Sequence, residues 1–194
     1  NEAKTAIDLA KELLNPRKNG FLQVTEEQIA VADAFNEGYK AFLDAAKTER
    51  ESVDYAVEAA EKNGFVEFDP AKKYQPGDKV YYNNRGKALC LAVIGTEGCK
   101  NGVRIAAAHI DNPRIDLKPI PLYESTEMVY LKTHYYGGIK KYQWTAIPLA
   151  MHGVIVKRDG EVIKVKVGEE PGDPQFTITD ILPHLGHEQN GRPM

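Results

Sequence analysis

Val103-Arg104-Ile105-Ala106-Ala107-Ala108-His109-Ile110-Asp111-Asn112-Pro113 is the stretch on which the reading of the fold turns. Its small and branched residues suit a strand buried in a sheet with helices on its faces. Period-two geometry then points His109 and Asp111 to one side at the strand's end and Ile110 to the other. Asn112-Pro113 turns the chain away and leaves that end open, where ligands bind in α/β sheets.

Upstream the period is helical. Thr25 followed by Gln28 fits a capping box, and Ile29, Ala32, Phe35, Tyr39, Phe42 and Ala46 then recur at helical spacing. Thr48 with Glu51 repeats the signature, and Val53, Val57 and Ala60 line one face until Asn63-Gly64 stops the helix. A shorter helix is expected from about Thr5 to Leu14, ended by Asn15-Pro16. Each stripe reads as core packing. Pro76-Gly77-Asp78 is a turn into a strand at 79–83, and residues 84–87 reverse the chain into an apolar strand at 88–94. Helices first, then hairpin and buried strand, indicate α/β or α+β layers.

Downstream the chain turns β-rich. Lys118-Pro119-Ile120-Pro121 reads as a stiff joint and the domain boundary, dividing 1–118 from 119–194. Strands are expected at 127–134, 142–157, 161–167 and 176–179, with Arg158-Asp159-Gly160 as a hairpin turn. Thr179-Asp180 is placed to cap a final helix that includes Leu182 and Leu185.

Composition narrows the function classes. In 194 residues, 42% hydrophobic and 27% charged side chains are those of a folded globular protein. A formal charge of -3 argues against nucleic-acid binding, which shows as a basic excess. The longest near-apolar run, 146–156, carries His152 and is far short of the ~20 residues needed to cross a bilayer. Two cysteines, Cys90 and Cys99, are too few for a disulfide scaffold and suit a reduced, cytoplasmic protein. Cys90 reads as a buried small hydrophobe. No signal-peptide pattern is read at the start, and the first residue is Asn1 rather than Met, so the true start is expected to lie upstream.

His109 and Asp111 are the candidate site. A metal-binding histidine commonly gives its second ring nitrogen to a carboxylate, which fixes the tautomer. His-x-Asp on spacing alone leaves two readings open: a metal ligand with its orienting carboxylate, or a surface His–Asp pair. The surrounding blocks go further. His109 to Pro119, Pro121-Leu122-Tyr123-Glu124, Tyr135 to Trp144, Ile147 to Gly153 and Ile178 to Leu185 closely resemble the aminopeptidase I and aspartyl aminopeptidase family of zinc metallopeptidases. Tyr39 to Leu43 and Lys47 to Arg50 resemble its bacterial branch, so the resemblance covers nearly the whole chain.

That resemblance implies an α/β fold: N-terminal helices and part of a mixed-sheet catalytic domain, then a β-rich inserted domain that builds dimers. The dimers would assemble into a tetrahedral, dodecameric homo-oligomer acting on peptides, with no nucleic-acid or membrane partner. It implies two Zn2+ per complete site (Co2+ or Mn2+ being alternatives), with His109 as metal ligand and Asp111 as the catalytic-site residue that orients it. It also implies metal-assisted removal of N-terminal residues from peptides.

A complete member of that family draws a bridging aspartate, a Glu-Glu pair, a further carboxylate and a distal histidine from segments further along. This chain is therefore expected to be the N-terminal part only, with Gly191 to Met194 inside the insertion. The alternative reading is a non-catalytic assembly unit, because one ligand does not make a hydrolytic zinc site. Glu169-Glu170 lies in a hairpin loop rather than a catalytic setting. His134, His152 and His184 read as strand or interface residues, and His184 with His187 would share a helix face. Tyr135, Tyr136, Tyr142 and Trp144 read as interface packing, and Gly137-Gly138 as a turn.

Overall fold

The computed structural model describes residues 5–15 and 17–191. The expected helix stop at Pro16, the chain start at Asn1 and the last three residues lie outside the described residues. The chain divides into two compact units, Asn1–Asp44 and Ala45–Met194.

In the first unit, α1 (Ala6–Leu13) begins at a capping box: Asp8 N–H donates to Thr5 Oγ1 at 3.3 Å, and Thr5 N–H to Asp8 Oδ2 at 3.2 Å. The Thr25–Gln28 box starts α2 (Glu26–Ala45) in the same way, with reciprocal bonds of 2.9 and 3.2 Å. Both expected starts are therefore present. The expected burial is not, since neither helix holds a buried residue and Phe35 is 76% exposed. An apolar stripe is buried only where a second layer faces it, and the described residues of this unit by themselves offer none.

The second unit has a small core. Thr48 caps α3 (Glu49–Lys62), and Phe65 N–H reaches Ala60 C=O past Gly64 at φ +80°. The left-handed backbone at Gly64 satisfies carbonyls that the helix end would leave open. The Ser52, Val53 and Ala60 face of α3 packs on β2 (Lys79–Asn84) and β3 (Ala88–Val93), and Val80 and Tyr81 of β2 are buried. Arg85, Gly86 and Lys87 join these two strands, with φ of +60° at Arg85 and +66° at Gly86 and the Lys87 N–H closing on the Asn84 carbonyl at 3.1 Å. That pair of left-handed residues is the type I′ turn whose twist matches a tight hairpin. A short parallel strand β1 (Val66–Glu67) borders β2, which the sequence reading did not foresee. Among the described residues no second layer packs on the Cys90 face of β3, and Cys90 is exposed rather than buried.

The stretch 103–113 departs from expectation more sharply. It is in no ladder, and Val103 and Ile105 are 64% and 81% exposed. A strand needs neighbours for its N–H and C=O groups, and none of the described residues pairs with it.

Beyond it, β4 (Arg114–Ser125) and β5 (Met128–Tyr136) form an antiparallel hairpin, with Thr126 and Glu127 at φ of +52° and +61° in the turn. Pro119 and Pro121, read as a joint, lie inside β4. The register shifts between Leu117 and Leu122 because prolines bring no N–H to the ladder.

The expected strand at 142–157 shrinks to β6 (Met151–Val156), preceded by a 3-10 turn at Lys141–Gln143 and by Ala146 at φ +59°. It pairs with β7 (Val162–Val167) across the expected Gly160 turn. The expected strand at 176–179 makes only isolated bridges, Leu149 with Phe176 and Thr145 with Ile178. The expected helix over 179–185 is absent. Pro183 steers Leu182 away from helical backbone, and a short α4 (His187–Asn190) follows instead. His187 is on that helix and His184 is not.

Candidate metal centre

His109 and Asp111 are brought together although their segment is not a strand. His109 Nδ1 lies 3.0 Å from the Asp111 carbonyl oxygen and 3.1 Å from Asp111 Oδ1. Both neighbours are acceptors, so the ring proton belongs on Nδ1, and Nε2 presents its lone pair. The imidazole is 83% exposed, and among the described residues Nε2 meets no partner. The pair lines a shallow cleft of about 370 Å³ together with Glu49, Ser52 and Val53 of α3 and Ala88 and Leu89 of β3.

Asp111 is held from its other side. Its Oδ2 accepts a 2.7 Å hydrogen bond from the Tyr136 hydroxyl at the end of β5. That bond, the residue's own N–H and the His109 ring hold the carboxyl below the usual aspartate range. The same bond pushes the Tyr136 phenol up. The Arg114 guanidinium carbon stacks 4.1 Å from the centre of the Tyr136 ring. Arg114 in turn pairs with Glu49 at 3.0 Å and Asp116 at 2.7 Å.

The donor set fits one position of a zinc site: an imidazole nitrogen directed outward, with its second nitrogen fixed by a carboxylate. It does not complete a site. No group of three or more His, Cys, Asp or Glu side chains able to hold a metal ion gathers among the described residues.

The other candidates separate from this centre. His152 on β6 is 9% exposed, with Nδ1 2.7 Å from Glu51 Oε1. Its Nε2 lies 3.0 Å from Glu169 Oε1, close enough for an ion pair but not aligned as a hydrogen bond. Glu169 thus serves β6, and Glu170 supports the loop through its N–H to Asp173 at 3.3 Å. His134 stacks on Tyr135 within β5. The sequence reading missed Tyr136, Arg114 and Glu49 as members of the centre. The available signal was Arg114-x-Asp116, which alternation places on one strand face, and Tyr136 beside the glycines.

Comparison with known proteins bears on what this centre is. The profile of the aminopeptidase I zinc metalloprotease (M18) family matches residues 42–193. A probable M18 family aminopeptidase 1 of Clostridium acetobutylicum is 46% identical over 185 residues, which is 93% of this chain and 40% of that protein. The crystal structure of aminopeptidase I from Borrelia burgdorferi B31 superposes with a TM-score of 0.80 at 40% identity, over 86% of this chain and 41% of that one. The Thermotoga maritima M18 aminopeptidase structure gives 0.80 at 42% identity, over 89% and 37%. The chain spans about 40% of the length of the curated relatives it matches.

Proposed function

This chain belongs to the aminopeptidase I zinc metalloprotease (M18) family, and from that premise we propose that the protein is a metal-dependent aminopeptidase removing N-terminal residues from peptides. The observation that carries the reading is the His109 ring lining the cleft, with Nδ1 engaged by Asp111 and Nε2 turned outward.

His109 Nε2 would hold zinc, with Co2+ or Mn2+ as alternative occupants. Asp111 keeps the proton on Nδ1 and raises the basicity of Nε2. When bound, two such cations supply Lewis acidity toward the scissile carbonyl and a water whose pKa falls towards ~7. This chain's own contribution is orientation. The carboxylate fixes the ring, and Tyr136 and Arg114 fix the carboxylate. Since a catalytic zinc needs about three protein ligands, the remaining ligands and the glutamate that takes the water's proton are assigned to the share of the relatives' length that this chain does not span.

In the same reading residues 1–118 belong to the catalytic domain and 119–194 to an inserted dimerisation domain. Ile155, Val156, Val162 and Ile163, each at least 41% exposed on the β6–β7 hairpin, supply apolar surface for dimers that build a larger particle. The free cysteines fit a cytoplasmic protein.

Replacing His109 with alanine in the intact protein is expected to abolish metal-dependent release of N-terminal residues; undiminished turnover with normal metal content would overturn the assignment. For the 194-residue chain taken alone, the second reading is that of a non-catalytic assembly unit, because one ligand, His109, does not make a hydrolytic zinc site. Stoichiometric tight zinc with peptidase activity in the purified chain would exclude it.

A further inference from the structure

Asp111 divides its two carboxylate oxygens between two partners: Oδ1 faces His109 Nδ1 at 3.1 Å, and Oδ2 accepts from the Tyr136 hydroxyl at 2.7 Å. The terminal torsion of an aspartate is broad and soft, so one hydrogen bond to a mobile imidazole leaves the carboxylate free to swing. A second bond on the opposite oxygen removes that freedom. The phenol that gives it is itself immobilised. Tyr136 lies directly across the ladder from Arg114, whose guanidinium covers the ring at 4.1 Å. Arg114 is tied to Glu49 at 3.0 Å, in the first turn of α3, and to Asp116 at 2.7 Å. A planar guanidinium stacked on one ring and forked onto two carboxylates has little rotamer freedom left.

We propose that Tyr136 is a positioning residue for the metal-binding imidazole: its hydroxyl locks the Asp111 carboxylate in the orientation that keeps His109 Nε2 outward, with Arg114 clamping the phenol. The proposal rests on reading His109 as a metal ligand. It makes the end of β5, within the part assigned to the insertion, a support of the metal centre. It also gives Tyr136 a duty beyond the interface packing expected of it.

Tyr136→Phe removes one oxygen and keeps the ring under Arg114. In the intact protein, zinc affinity measured by competition with a chromophoric chelator should fall about tenfold, the lower end for partners outside the ligand shell. Visible absorption of the cobalt-substituted protein should shift, while melting of the metal-free protein stays as in the wild type. In an Asp111→Ala background the same change should cost no further affinity, because a residue acting through another loses its effect when that other is gone. Wild-type affinity in Tyr136→Phe, or an equal added loss on top of Asp111→Ala, would overturn the proposal while leaving His109 as a ligand. A His109→Ala protein that keeps wild-type zinc affinity would instead overturn the reading beneath it.

Discussion

At the residue scale, the His109–Asp111 contact follows from spacing. Two side chains two positions apart in extended chain share a face whether or not a sheet forms around them. That is why the pair was legible in the sequence although the strand expected around it does not form. Tyr136 was not legible as its partner, because 25 positions separate it from Asp111 and only the β4–β5 register, which sets Tyr136 opposite Arg114, brings it near. Gly168 shows another constraint visible only in three dimensions. At φ +107°, a Cβ there would stand 3.0 Å from Ala150 Cα and 3.2 Å from the Leu149 carbonyl oxygen, both backbone atoms. Gly168→Ala should cost about 2 kcal/mol or more, read as a lower urea midpoint; an unchanged midpoint would show that the loop has another conformation open to it.

At the scale of elements, the starts of the first three helices and the Gly160 turn were legible because each depends on residues within four positions, whereas the cap expected at Thr179-Asp180 starts no helix. Thr25 and Thr48 cap as expected, Thr5 adds a capping box of its own, and Thr48→Ala should cost about 1 kcal/mol of stability, measured by thermal unfolding. Strand ends were read less well. Proline, the left-handed Ala146 and missing neighbours interrupted runs whose composition alone looked continuous.

Long-range pairing was out of reach for the same reason. The β6–β7 hairpin is fastened to α3 by His152 with Glu51, and by Lys164 with Asp54 at 2.6 Å. Burial alone would raise the Glu51 carboxyl, but the bond and charge of His152, the Thr48 hydroxyl and the Lys47 N–H hold it below the ordinary glutamate value. Lys166 and then His152 do the same for Glu169. A depressed carboxylate stabilises the fold above its unfolded pKa, and that stability is lost as the pH falls through the folded value. Melting temperature should therefore drop as the pH falls below about 4, and His152→Ala should flatten that drop. An unchanged slope in the variant would detach His152 from the effect.

For the whole molecule, the fold class was legible from the change of period along the chain, but the amount of buried surface was not. The apolar stripes of α1 and α2, the stretch 103–105 and the β6–β7 hairpin all present apolar side chains to solvent. Contiguous exposed apolar surface favours association, so the purified 194-residue chain is expected to scatter light as a dimer or larger at high concentration. A compact monomer would contradict this. No helix among the described residues is long and apolar enough to cross a membrane. The account as a whole depends on His109 being a metal ligand through Nε2 with Asp111 behind it. Anomalous diffraction at the zinc edge from crystals of the intact protein tests this most directly. The expected result is a peak about 2.1 Å from His109 Nε2 with Nδ1 still on Asp111, whereas zinc bound elsewhere with His109 Nε2 left free would contradict it.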